Sequence, residues 1–236
     1  EMPHPAIGAA VAGCGDEAVV ACQRATPDGP EVCLLAADGT ERFRAPGRRP
    51  LLATLGGSVA MVYERPHVNG CGLVLTLLPA DGPARELVLP DRDELNLAAS
   101  LAVDDAGGLW VAHETAPMWG YDEQLGRHRD ICLWTLPAGS NAFAPGPDTC
   151  GGVLPIPRRS CKEHVHRNAT PLAPRVRLAG GEPVVACRRY REHGFKAYGW
   201  DVYVLRHGPA GWSQPARVSE QFGHPDAGYD LLPDAD

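Results

Sequence analysis

The 236-residue chain has no excess of positive charge: 22 Lys and Arg stand against 29 Asp and Glu, a net charge of −7. A nucleic-acid-binding domain carries the reverse balance, gathered on one face, so that class is set aside. No apolar run approaches the ~18 residues that a membrane-crossing helix needs. None of the eight cysteines forms a CxxC pair, so the short metal and redox signatures are missing. No amphipathic helix can be traced. The opening Glu1-Met2-Pro3 lacks the charged and apolar regions of a secretory leader. A leader removed earlier would leave the same start, and secreted or periplasmic placement is favoured over cytoplasmic.

What is abundant is punctuation. With 27 Gly and 23 Pro, 44% hydrophobic and 22% charged residues, the chain reads as a globular protein of many short elements joined by tight turns. Four segments repeat one pattern, a glycine-type turn, an apolar run, then an amide or charged residue. They are Gly15 through Val19–Cys22 to Gln23, Gly56-Gly57 through Ala60–Tyr63 to Glu64, Gly107-Gly108 through Trp110–His113 to Glu114, and Gly180-Gly181 through Val184–Cys187 to Arg188. A small-residue strand precedes each run: Ile7 to Ala12, Leu51 to Leu55, Ala98 to Val103, Leu172 to Leu178. A β-rich strand follows: Val32 to Ala36, Leu73 to Leu78, Ile131 to Leu136, Val202 to Arg206. A more polar fourth strand closes each unit at Thr40 to Ala45, Arg85 to Leu89, Val153 to Ile156 and Trp212 to Ser219.

Four antiparallel strands in units of ~40–50 residues describe propeller blades. The expectation is an all-β fold, a β-propeller of at least four four-stranded antiparallel blades, whole or part of a larger propeller. The blades fall near 5–47, 48–92, 95–157 and 168–220, with 221–236 opening a further blade or closing the ring. A β-sandwich shares the short strands and turns but does not require the same grammar four times.

In an antiparallel meander the turn between strands two and three shares a side with the link to the next unit. Those connections read as long and polar here: Arg65 to Gly70, Thr115 to Arg129, Arg158 to Thr170, Tyr190 to Gly199, Glu220 to Asp230. Long loops on a rigid scaffold are where binding sites concentrate. Arg65, His67, Arg188, Arg189, Arg191 and Lys196 are the candidate ligand-binding residues, since guanidinium forks suit carboxylate, sulfate or phosphate. Trp119, Tyr121, Tyr190, Tyr198, Trp200 and Tyr229 supply faces on which sugar rings stack. Solvated loop charges paired with Glu163, Glu192 and Asp226 are the plainer reading of the same stretches. The pattern requires no cofactor. His164-x-His166 is the candidate metal pair, two imidazoles on one side of an extended segment, open to a third ligand from His193, His224 or Asp226.

Cys14, Cys22, Cys33, Cys71, Cys132 and Cys187 lie in or beside apolar runs, as small buried hydrophobes do. Cys150 and Cys161 bracket a loop that a disulfide would close, and Cys22 and Cys33 could bridge neighbouring strands. Asn168-Ala169-Thr170 is a glycosylation sequon.

The stretches Ser100–Ala112, Trp200–Leu205 and Gly211–Ser219 resemble the BNR, or sialidase-like, propeller superfamily. The resemblance is repeat-level and covers about half of the chain; no S-x-D-x-G-x-T-W box accompanies it. It implies an acidic glycan or similar anionic small ligand on the long-loop face, with Arg65, Arg188 and Arg189 available to a carboxylate. A hydrolase is one outcome. A polysaccharide lyase is another, with Arg188 or Arg189 neutralising a uronate, His113 or His193 as base and Tyr190 as acid. His113, Glu114, Tyr190 and His193 form the candidate catalytic set. The alternative is a non-catalytic interaction or architectural propeller, partnered by another domain of the same polypeptide.

Overall fold

A computed structural model describes residues 9–14, 16–80, 82–90, 95–116, 129–156, 171–193 and 197–218, with backbone alone at 171–172, 189–193 and 197–200. These residues form strands and turns with no helix among them, so none is present there to cross a membrane. Strands β1 (Ala9–Cys14), β2 (Glu17–Thr26), β3 (Gly29–Ala36) and β4 (Glu41–Pro46) make a first antiparallel meander. The second is β5 (Arg48–Leu55), β6 (Ser58–His67), β7 (Gly70–Pro79) and β8 (Arg85–Val88). The third is β9 (Leu95–Val103), β10 (Leu109–Ala116), β11 (Asp130–Leu136) and β12 (Ala144–Pro145). The fourth is β13 (Pro171–Ala179), β14 (Glu182–His193) and β15 (Ala197–Gly208), with β16 (Gly211–Trp212) and β17 (Ala216–Arg217) sharing its outer edge. One parallel bridge, Cys71 to Leu95, ties the second meander to the third.

Strand periodicity explains why the repeated runs are apolar throughout. Successive residues of a strand point to opposite faces, and both faces of these sheets are covered. On β6, Val59, Met61 and Tyr63 pack with Val19, Ala21, Val32 and Leu34 of the first meander. Their neighbours Ala60 and Val62 turn the other way, onto Leu109, Val111, Cys132 and Trp134 of the third. Ala112, Ile131 and Leu133 repeat the arrangement against Val176, Val185, Cys187 and Leu205 of the fourth. Among the described residues, three of the apolar clusters lie between consecutive meanders. The leading strands run side by side, β1 against β5, β5 against β9, and β9 against β13.

Three expectations change. The Arg65 to Gly70 connection is the end of a hairpin: β6 and β7 pair out to His67 opposite Gly70, leaving Val68-Asn69 as the turn. The Tyr190 to Gly199 connection is also paired, out to His193 opposite Ala197. Period-two pairing needs backbone partners rather than apolar side chains, so polar residues at a hairpin tip stay in strand. In the third meander the outer strand is Ala144–Pro145 on β11, while Val153 makes isolated bridges to Cys132 and Cys150.

Candidate functional site

The amide or charged residue that ends each apolar run has a shared geometric task. Gln23 Oε1 accepts the backbone N–H of Arg49 at 2.9 Å, Glu64 Oε1 that of Ala98 at 3.0 Å, and Glu114 Oε1 that of Ala173 at 2.6 Å. Each receiving residue sits in the leading strand of the next meander. Each has positive φ, 52° at Arg49, 51° at Ala98 and 49° at Ala173, and marks a break in strand register. A non-glycine residue in that region is uncommon and costs roughly 1–2 kcal/mol; the side-chain acceptor from the preceding meander offsets the cost and fixes the bulge. Sequence reading found these positions as the end of a repeat but not their task.

Arginines gather at the same end. Glu64 is only 2% exposed and carries Arg48 Nε at 2.7 Å and Arg49 Nη1 at 3.1 Å. Glu114 holds Arg129 Nη1 at 2.7 Å. Burial pushes the Glu114 carboxyl above its ordinary range, against the lowering pull of the Ala173 N–H, Arg129 and Arg188. With both oxygens engaged, Glu114 acts as an inter-meander latch.

His113 is fully buried. Its Nε2 accepts the indole N–H of Trp134 at 3.2 Å and its Nδ1 donates to the Glu114 carbonyl at 3.0 Å. Burial drives its pKa down to about 4, with the carbonyl pulling weakly the other way. Both ring nitrogens serve the interior of the third meander, so His113 offers no base to a solvent-side substrate. Arg65 leans on the Tyr63 ring and binds Glu86 Oε1 at 2.6 Å, while the Tyr63 hydroxyl donates to the same oxygen at 2.9 Å. His67, exposed at the end of β6, accepts the Asn69 N–H at 3.2 Å. Arg188 is half-buried, opposite Leu172 and Val202, and its charge reaches Glu114.

Arg189, Tyr190, Arg191 and His193 lie on the outer stretch of β14, at register positions opposite Asp201, Trp200, Gly199 and Ala197. Lys196, His164, His166 and Cys161 lie outside the described residues. Cys22 and Cys33 stand directly opposite each other on β2 and β3, both buried thiols.

Two further arginines escaped sequence reading. Arg175 and Arg177, at alternate positions of β13, line a cavity of about 280 Å³ together with Leu51, Leu52, Ser100 and Leu101 from the leading strands of the second and third meanders. A second cavity of about 650 Å³ shares Arg177 and Leu101 and reaches Asp105 and Gly180 at the short-turn end. The pattern Arg-x-Arg within an inner strand was the available signal.

Neither a protein-family model nor a curated protein sequence matches the chain. Solved structures do. A GH93 α-L-arabinofuranosidase of Fusarium graminearum, solved with arabinobiose, superposes with a TM-score of 0.57 at 11% identity, over 92% of this chain and 67% of that one. The endosialidase of phage phi92 gives 0.53 at 11% identity, over 98% and 38%. The GH43 protein BlXynB of Bacillus licheniformis gives 0.52 at 11% identity, over 96% and 47%. The likeness is one of fold: an all-β chain of antiparallel meanders arranged as in propeller proteins.

Proposed function

We propose that this chain is a sialidase-like propeller domain that binds an acidic glycan at its long-connection end. The observation that carries this reading is the β14–β15 ribbon. The buried run Val184–Cys187 continues without a break into Arg188–His193, so a cationic, aromatic stretch is held on a paired strand at that end. The paired stretch brings Arg189, Arg191 and His193 together in register with Tyr190, Tyr198 and Trp200, residue types that suit a carboxylate or sulfate and a sugar ring. The neighbouring folds, an arabinofuranosidase solved with arabinobiose and an endosialidase, support a saccharide ligand. Tyr190 and His193, with Arg188 or Arg189 on a uronate, keep a lyase open as the catalytic form of this proposal; Glu114 and His113 serve the scaffold instead. Secreted or periplasmic placement belongs to the same reading.

The test is affinity electrophoresis of the full chain through gels containing polygalacturonate, a sulfated glycan or a neutral arabinan, at low and moderate salt. Retardation by the acidic polymers that weakens with salt, and weakens at least several-fold in an Arg189→Ala/Arg191→Ala variant, is expected. Equal retardation by the neutral polymer, or none by any polymer from a folded sample, overturns it. Release of shortened or unsaturated products would make the domain an enzyme.

A further inference from the structure

Cys22 and Cys33 are buried nucleophiles that neither the acceptor residues at the meander boundaries nor the ribbon uses. They stand directly opposite each other on β2 and β3. Their sequence neighbours Ala21, Val32 and Leu34 pack toward the second meander, so strand alternation puts both thiols on the opposite face of the first. The hairpin turn fixes the kind of pair they make. Pro30 has no N–H to donate, so Ala25 and Pro30 form a pair without mutual backbone bonds. Bonded and non-bonded pairs alternate along an antiparallel ladder, and Cys22 opposite Cys33 lies three register steps further on. They are therefore a bonded pair, with Cα atoms about 5.5 Å apart. A disulfide needs a Cα separation of about 4.4–6.8 Å, so a bridge can close here without moving either strand. Charged groups border the pair. Arg44 stands opposite Cys33 on β4 and holds Glu41 Oε2 at 2.8 Å, and Arg24 reaches the same oxygen at 3.2 Å. Burial raises the Cys33 pKa; the Arg24 charge pulls it back, while Glu41 and the neighbouring Cys22 push it further up. Among the described residues no third metal-ligating group joins the two thiols.

We infer that Cys22 and Cys33 form a reversible dithiol–disulfide pair across the first hairpin, oxidised by a small-molecule disulfide. Cys22 is 5% exposed and Cys33 fully buried, which makes Cys22 the point of entry. Its thiolate attacks one sulfur of the reagent, giving a mixed disulfide and releasing one small thiol. The Cys33 thiolate then attacks Cys22 Sγ, closing the bridge and releasing the second. Two protein S–H bonds are lost and one S–S bond forms; the reagent S–S bond breaks and takes up the two electrons and two protons. The hairpin is already paired with both sulfurs as thiols. Opening the bridge therefore leaves the strands in place, which suits a cycling pair rather than a structural staple. The pair holds whether or not the ribbon binds a glycan.

Peptide mapping of the full chain tests it. The folded protein is incubated with 2-hydroxyethyl disulfide and quenched in acid, and its remaining thiols are alkylated in denaturant. Trypsin cuts after Arg24, and a glutamate-specific protease cuts after Glu17, Glu31 and Glu41, so the bridge shows as residues 18–24 joined to residues 32–41, with Cys14 on a separate peptide. Most chains should carry this joined pair. Dithiothreitol should restore both thiols while the near-ultraviolet circular dichroism of the folded chain persists throughout. Cys33→Ala should abolish the joined pair and Cys14→Ala should leave it. The assignment is made on the parent chain, so it stands even where a variant fails to fold. A folded chain that yields no joined pair, a pair that forms only in urea, or a reduction that unfolds the chain overturns the inference.

Discussion

The boundary between the third and fourth meanders is closed at both of its ends, and the two closures differ in kind. At the long-connection end, Glu114 is 6% exposed and takes the Ala173 N–H together with Arg129. At the short-turn end, His207 lies between Glu182 Oε2 at 2.6 Å and Asp148 Oδ2 at 2.9 Å, both carboxylates more than half exposed. Trp212 adds a bond from its indole to the Pro147 carbonyl at 2.8 Å and an edge contact to the His207 ring. The first closure joins a buried carboxylate to a part-buried backbone donor and a guanidinium. The second joins groups that water would satisfy almost as well. The contrast assigns the setting of blade-to-blade register to one end and adjustable adhesion to the other.

The strongest way to break this comparison is Glu114→Ala. It removes the carboxylate acceptor of the Ala173 N–H and leaves the Arg129 guanidinium, largely buried, without that carboxylate. Loss of one partner of a buried pair costs about 3–5 kcal/mol, and urea unfolding should show it as a lowered midpoint at unchanged slope. Glu114→Gln keeps the acceptor for Ala173 and should lose clearly less. A Glu114→Ala loss under about 1 kcal/mol would remove the latch from the account.

His113, one residue before the latch, sharpens the same end through pH. Its folded pKa of about 4 lies below the unfolded value near 6.5. The unfolded chain therefore takes up the proton first as pH falls. The contribution of the neutral ring is complete above about pH 6.5 and is lost as pH drops through about 4, a change of about 3 kcal/mol. His113→Phe should be less stable at pH 7, because Trp134 loses its acceptor. It should also flatten the stability slope between pH 6.5 and 4; an unchanged slope would place the acid sensitivity elsewhere.

Much of this architecture was legible in the chain. The repeat depends on glycine turns and on runs apolar at every position, and both are local signals. Positions 23, 64, 114 and 188 were visible as the last members of those runs. Their task was not visible, because an acceptor's partner lies 26, 34 or 59 residues away in the next meander and is a backbone N–H, which no residue type advertises. The hairpin tips at Val68-Asn69 and beyond Arg188 read as loops because polarity was taken for irregularity; backbone pairing, indifferent to side chain, carried the strands through. Arg175 and Arg177 escaped because an arginine in a strand looks like a solvent-facing one until the neighbouring leading strands close around it. Cys22 and Cys33, expected as a possible bridge between neighbouring strands, stand opposite each other on β2 and β3 as unbridged thiols.

Gln23→Ala tests whether the latch needs a charge. Gln23 performs the same task for Arg49 at an exposed boundary. Water can replace a lost acceptor there, so the expected cost is about 0.5–1.5 kcal/mol, the net worth of one hydrogen bond. Gln23→Glu should be tolerated, since Arg24 adjoins it in sequence and the Arg49 backbone lies against it in space. A Gln23→Ala loss as large as that of Glu114→Ala would show that the positive-φ bulge, rather than burial, sets the size of the effect.

The smallest expected effect belongs to the short-turn end, and it has the opposite pH sign to His113. Burial lowers the His207 pKa, but the bonds to Glu182 and Asp148, with their charges, outweigh it and leave the folded pKa above the ordinary value. The folded state therefore holds this proton more tightly than the unfolded one. Its contribution is fully present below about pH 6.5 and is lost as pH rises through the folded pKa. Because both carboxylates face water, the contact is weak and screened by salt. His207→Gln should lower Tm by about 1–2 °C at pH 6 in low salt. The difference from the parent chain should close at pH 9 and in 1 M salt. A deficit that persists at pH 9 would mean that His207 acts through its packing on Trp212, and the short-turn end would then be as rigid a closure as the latch at the other.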